Sequence, residues 1–253
     1  MNNPETFEQL INRRKACLKC HKNDNLRHFD NILSKDGLPN LLGPWNPLGK
    51  NSHEAEILIV GQDFGIFQYL EDSKNMDGLN NKEKGNQTNK KLIKYLESAG
   101  ILDKKLYFTN AVLCIKNGVT KKTKSGKSMS SDVEKKWFEN CSEEFLKPLI
   151  IDHLPNLKII ITLGKYALFS INKIIDSPFE DTQSLIDLVA KKQNITVSNN
   201  QYTLIPMLHP SYDYVNVKRH EINIKKIKPE KKAKDLWLDI IIYLKLLPNK
   251  GVI

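Results

Sequence analysis

The sequence predicts an α/β fold, a three-layer α/β/α arrangement around a mainly parallel, four-stranded central sheet, on three observations. Short runs of β-branched apolar residues recur, segments of helical period separate them, and each run ends in a polar or glycine-containing turn. In chain order, Glu5 to Ala16 reads as a short helix running into Cys17-Leu18-Lys19-Cys20. Residues 35 to 53 hold Gly37, Pro39, Gly43, Pro44, Pro47 and Gly49, a density of breakers that excludes regular structure. Glu56 to Val60 is a continuous apolar run of the kind buried on both faces, and it ends in Gly61-Gln62-Asp63-Phe64-Gly65. From Asn89 to Ala99 a helix is expected, with Leu92, Ile93 and Leu96 on one face and Gly100 as its stop. Leu106 to Asn110 is the second strand. A lysine-rich loop, Lys116 to Lys127, precedes a helix from about Ser131 to Leu146, capped by Ser130 or Ser131 with Glu134 near the third position. Leu157 to Leu163 is the third strand, and Gly164 opens a helix to Ile175. A polar insertion leads to the fourth strand, Tyr202 to Pro206, to Leu208-His209-Pro210-Ser211, and to a closing helix from about Glu230 to Leu247.

With 253 residues, 40% of them apolar and 8% aromatic, the chain can bury the core of one domain. A single domain over residues 1–253 is expected, carrying an N-terminal Cys-x-x-Cys segment (about 1–34) and a basic loop insertion (about 116–128). Charged residues make up 27%, yet apolar segments run the whole length, which excludes disordered, collagen-like and coiled-coil classes. Lys and Arg number 39 against 29 Asp and Glu, giving +10. That excess suits a polyanionic partner and equally a lysine-rich solvated surface. Met1 to Lys15 contains no apolar segment of the secretory type, so a cytoplasmic location is expected. Leu236 to Leu247 is interrupted by Asp239 and Lys245 and is too short to span a bilayer, so no membrane role is expected. In that setting four cysteines argue against disulfides and for metal or cluster ligation.

In open α/β sheets the ligand crevice lies beyond the carboxyl ends of the strands, and Gln62-Asp63, Asn110 and His209-Pro210-Ser211 each follow a strand. Singly each is weak, since an Asn at a strand end often caps a helix and a lone His is more often structural than catalytic. Their shared position is what singles them out.

Leu58 to Gly65, Tyr107 to Cys114, Ile161 to Lys165 and Leu208 to Ser211 together resemble the ordered motifs of the uracil-DNA glycosylase superfamily. Cys17, Cys20, Cys114 and Cys141 fall where its iron-sulfur-containing branch has its four ligands, so the resemblance implies a structural 4Fe-4S cluster. A zinc ion suits a thiolate tetrad too, and only the resemblance favours iron. Cys17 to His21 also matches the haem c attachment pattern, which leaves Cys114 and Cys141 unexplained.

The resemblance implies a monofunctional enzyme, working as a monomer on single- or double-stranded DNA, that flips out uracil or another deaminated base and hydrolyses its N-glycosidic bond. It makes Asn110 the reader of the base edge, His209 the donor to O2 of the departing base, and Asp63 the anion near the sugar that orients or deprotonates water. Gln62 assists through its backbone or amide, Phe64 and Gly65 border the base, and Ser211 holds a flanking phosphate. Lys121, Lys122, Lys124 and Lys127 would add attraction to DNA, and Tyr212 to Lys218 would press into the duplex.

The chain also departs from that branch. It shows Gly61-Gln62-Asp63-Phe64-Gly65 where Gly-Glu-Ala-Pro-Gly is usual, and Gly65 stands where the classical enzymes place a thymine-blocking Tyr. No aromatic residue occurs from Asp72 to Lys94, so Phe64, Phe67 or Tyr69 must stack on the base if any residue does. A DNA-binding protein of the same fold that recognises a modified base without excising it is the alternative.

Overall fold

Three of the apolar runs become strands buried at every residue, because helices cover both of their faces. The computed structural model describes residues 5–20, 26–27, 53–63, 87–98, 105–116, 121–122, 128–129, 134–180, 185–189 and 191–210. In chain order its elements are α1 (Phe7–Lys15), β1 (Leu26–Arg27), β2 (Ile57–Gly61), α2 (Gln87–Ser98), β3 (Leu106–Asn110), β4 (Ile115–Lys116), β5 (Lys121–Lys122) and β6 (Ser128–Met129). There follow α3 (Lys135–Cys141), a π-helical turn (Ser142–Leu146), α4 (Lys147–Asp152), β7 (Ile159–Leu163), α5 (Lys165–Asn172), α6 (Leu185–Leu188), β8 (Gln193–Val197) and β9 (Asn200–Met207).

The main sheet has the order β3-β2-β7-β9-β8, with the first four strands parallel and β8 antiparallel at the edge. Because side chains alternate along a strand, each strand feeds both layers. Leu58, Val60, Tyr107, Ile160 and Leu204 pack with Leu10, Phe138, Phe145, Leu149 and Ile171 on one side of the sheet. Ile57, Ile59, Phe108, Ile161 and Ile205 pack with Leu92 and Leu96 of α2 on the other. The result is the expected α/β/α stack. Register pairs Gly61 with Asn110 and Leu163 with Met207, so the strands end together and their following residues share one edge.

The sheet has five strands where four are expected. The additional strand, β8, lies in the segment read as a polar insertion, and its residues alternate so that only Ile195 and Val197 are buried. An edge strand of that kind lacks the continuous apolar run that marks β2 and β7. Its turn into β9 places Ser198 and Asn199 at φ 46° and 69°. Their backbone N–H groups donate to the two carboxylate oxygens of Asp176 at 3.0 and 3.2 Å, which holds this costly conformation.

The middle helix also differs from expectation. It begins at Lys135 after Glu134, which makes no side-chain cap, and it continues beyond Leu146 to Asp152. Pro148 reads as a stop, but the chain inserts a π-helical turn just before it, in which the Lys147 N–H donates to the Ser142 carbonyl. The wider turn relieves the clash that a proline ring makes with the carbonyl four residues back. Within the basic loop β5 pairs antiparallel with β6, and β1 pairs with β4, so both segments contain short pairings where irregular chain is expected. Ser130, Ser131, Tyr212 to Lys218 and the closing helix lie outside the described residues. Among the described residues no helix is long and apolar enough to cross a membrane.

Candidate functional site

Parallel pairing continues past the strands and sets the site's spacing. The Ala111 N–H donates to the Gly61 carbonyl at 2.8 Å and the Val112 N–H to the Gln62 carbonyl at 3.0 Å, so the turns after β2 and β3 run side by side. Asn110, at the end of β3, is 4% exposed. Its amide lies over Gly61, where any β-carbon would stand 2.4 Å from Asn110 Oδ1. Its Nδ2 is buried and has no hydrogen-bond partner among the described residues. A buried donor in that state costs about 1–3 kcal/mol, so the amide is poised to take a further acceptor.

Gln62 and Asp63 are partly buried, and Gln62 Nε2 donates to Asp63 Oδ2 at 2.9 Å. Two strands away, the Gly164 N–H donates to the Met207 carbonyl at 2.7 Å, binding the end of β7 to the end of β9. Gly164 has φ 92°, and a β-carbon there would come within 3.1 Å of His209 Cβ. The absent side chain is what lets His209 sit against the start of α5. Burial lowers the His209 pKa, and the Asp63 carboxylate opposes that shift, which puts the two within electrostatic reach. Asp63, Asn110 and His209 therefore gather at one edge of the sheet. Phe64, Gly65 and Ser211, like Phe67 and Tyr69, lie outside the described residues.

A sequence profile described as the uracil DNA glycosylase superfamily matches residues 48–238, most of the chain. The chain belongs to the uracil DNA glycosylase superfamily. Members of the superfamily are typically glycosylase hydrolases acting on DNA, and the α/β/α stack described above is their fold. The matched span takes in Asp63, Asn110, Cys114, Cys141 and His209 but begins after Cys17 and Cys20. No curated protein sequence matches the chain at a significant level.

The four cysteines come together in this superfamily member from three separate elements. Cys17 and Cys20 follow α1, Cys114 follows Asn110 beyond β3, and Cys141 closes α3. None of the four is in a disulfide, and with Arg14, Leu113, Asn140 and Phe145 they line one pocket. The Cys17 N–H donates to the Arg14 carbonyl at 3.1 Å, and the β1–β4 pairing ties the segment after Cys20 to the segment after Cys114. Arg13 and Lys19 converge on Glu144 of the π-helical turn. Burial pushes the Cys141 thiol far up, and its neighbour Cys114 pushes it further. Burial raises Cys20 as well, against a hydrogen bond from Asn140 Nδ2 to its Sγ at 3.2 Å. Among the described residues no three His, Cys, Asp or Glu side chains meet closely enough to hold a single metal ion. The thiols instead line a shared space, and sulfur is the donor type that iron–sulfur clusters take.

Two features of the site were not apparent in the sequence. Gly164 read only as a helix start, although its position after a strand and before a helix signals a close approach. Arg14 falls four residues after Leu10, on the apolar side of α1, where a charge is unusual.

Proposed function

We propose that this protein is a monofunctional uracil-DNA glycosylase, which flips the base from the strand and hydrolyses its N-glycosidic bond. The observation that carries the reading is the buried Asn110 amide with its unpartnered Nδ2, beside Asp63 and His209 at the sheet edge. An amide offers an acceptor to N3–H of uracil and a donor to its O4. Cytosine presents the opposite pattern and would leave buried groups unpaired, at about 1–3 kcal/mol each.

Bond cleavage builds positive charge on the sugar and negative charge on the leaving base. Asp63 supplies the anion for the first and orients the attacking water, held in place by the Gln62 amide. His209 supplies a hydrogen bond to O2 of the base. Its lowered pKa supports the neutral imidazole in that role, because a neutral ring donates without placing a full charge beside the sugar. Phe64 and Gly65 would border the base and Ser211 a flanking phosphate. The charge of +10 supports attraction to the DNA backbone.

In the same reading Cys17, Cys20, Cys114 and Cys141 hold a 4Fe-4S cluster, with zinc as the rival occupant. Its contribution when bound is to fasten α1, the turn after β3 and α3 together.

The test is base release from a labelled oligonucleotide carrying one uracil, single-stranded or opposite guanine, followed by alkaline cleavage at the abasic site. Cleavage confined to uracil is expected. Binding without release from uracil or from other deaminated bases would turn the reading to a non-catalytic DNA-binding protein.

A further inference from the structure

Tyr166 is a large ring left partly in water beside the proposed site, and the chemistry above gives it no task. It is 38% exposed, one of two large apolar side chains exposed to that degree among the described residues. Its inner face is fixed. The ring stacks on Phe138 of α3 with centroids 4.9 Å apart and planes 6° from parallel, and Phe138 is fully buried. Tyr166 stands two residues past Gly164, about 3 Å along the axis of α5, and Gly164 is the residue that seats His209. The stack therefore borders the end of the sheet that carries Asp63, Asn110 and His209.

The same surface continues down α5. Phe169 and Lys173 follow Tyr166 at three and seven residues, along one stripe of the helix and its cap. The Lys135 and Lys173 ammonium groups lie 5.0 and 5.2 Å from the centre of the half-buried Phe169 ring. Lys136 and Lys165 are exposed nearby, and the acids of α3 on this side are Glu134 and Glu139, the latter paired with Lys173 at 3.3 Å. Four ammonium groups against two carboxylates leave the patch positive. A fixed ring among cations fits a nucleic-acid strand whose bases are turned out, because the ring takes a base and the ammonium groups take phosphates. A paired duplex keeps its bases inside the stack, beyond reach of such a ring. We propose that Tyr166 and its flanking lysines form a second subsite, on which an unpaired base near the flipped nucleotide stacks, giving single-stranded DNA an advantage as substrate. The inference rests on reading the chain as a DNA glycosylase. Because Phe138 already holds the ring, stacking on it orders no loose side chain.

The test compares the full-length protein with Tyr166→Leu, which still covers Phe138, with Tyr166→Phe, which keeps the ring, and with Lys135→Gln. KM and kcat for uracil excision are measured on single-stranded and on duplex oligonucleotides. Binding is measured in an Asp63→Asn background, with a fluorescent adenine analogue placed one to three positions to either side of the uracil. On single strands Tyr166→Leu is expected to raise KM about ten-fold at unchanged kcat and to abolish quenching of the analogue, with Tyr166→Phe close to the parent. Duplex substrate should hardly distinguish the variants. Lys135→Gln should flatten the salt dependence of single-strand binding by about 0.7 in log–log slope. Tyr166→Met serves the same comparison if the Leu variant is not recovered folded. Parent-like KM and quenching in Tyr166→Leu, or equal losses on both substrates, would overturn the inference and leave Tyr166 as a cover for Phe138. Self-association lost in Tyr166→Leu with DNA parameters unchanged would also overturn it, assigning the patch to a second copy of the chain. A parent protein that neither excises a base nor binds DNA removes the glycosylase reading itself, whereas excision by the parent with a parent-like Tyr166→Leu removes this inference alone.

Discussion

The β-carbon that Gly61 lacks would stand 2.4 Å from Oδ1 of Asn110, so the glycine of β2 is the seat of the amide on β3. The atom in the way belongs to a short, buried side chain that cannot swing clear, and the parallel register fixes both residues at the strand ends. Gly61→Ala must therefore displace Asn110. Displacing a binding group by about 1 Å can cost about 100-fold in rate, whereas overpacking at one site costs about 1–3 kcal/mol of stability. The expected variant is folded, melts lower, and excises uracil about 100-fold more slowly. A parent-like rate would separate Asn110 from base recognition.

Asn110→Leu tests the same amide with opposite signs for stability and function. Among the described residues the buried Nδ2 has no partner, a penalty of about 1–3 kcal/mol that leucine removes while keeping nearly the same shape. The variant is expected to match or exceed the parent in denaturant midpoint and to lose uracil excision by at least about 100-fold. Affinity for undamaged DNA should stay unchanged. A clearly destabilised variant would mean that the amide is held by the protein itself rather than kept for a ligand.

Asp63 and His209 are coupled through charge, and the coupling has a sign. Burial lowers the His209 pKa below its ordinary value of about 6.5, and the Asp63 carboxylate pulls it back up. Asp63→Asn should therefore lower the His209 titration midpoint further, readable from its ring protons by NMR. Excision should fall by orders of magnitude with DNA binding nearly intact. For stability, the folded state refuses a proton that the unfolded chain accepts below about pH 6.5. His209 therefore costs nothing above that pH and destabilises the fold as pH falls through it, and buried His153 adds a loss of the same sign. A His209 midpoint that rises in Asp63→Asn, or equal loss of excision and binding, would remove Asp63 from its assigned role.

How much could be read in advance follows from burial. β2, β3 and β7 are covered on both faces, so Ile57 to Val60 and Ile159 to Leu163 stand out as apolar runs, and the residues just beyond them mark the crevice. That made Asp63 and Asn110 legible by position, and His209 by its place after β9. Strand β8 was hidden because an edge strand buries only alternate residues, and the helix beyond Leu146 because Pro148 signals a stop that the π-helical turn circumvents. The contacts of Asn110 with Gly61 and of His209 with Gly164 depend on register and on one positive φ, and neither is written in local composition.

The proposed cluster, held by the four cysteines, would be structural rather than catalytic. Cys17 lies at the end of α1, between a helix held by the Thr6–Gln9 capping box and a turn held by Lys19 and Glu144. Its sulfur faces the pocket, while Asp63, Asn110 and His209 stand at the end of the sheet. Removing one of the four proposed ligands should release the proposed cluster and unfasten α1 from the turn after β3 and from α3. Cys17→Ala is therefore expected to lose iron and sulfide together and to melt well below the parent. Among molecules that remain folded, excision should persist at near the parent rate. Soluble, cofactor-free protein with parent stability and full activity would show that the thiols hold nothing the fold needs. Loss of excision in a variant with parent stability would move the cofactor from scaffold to chemistry.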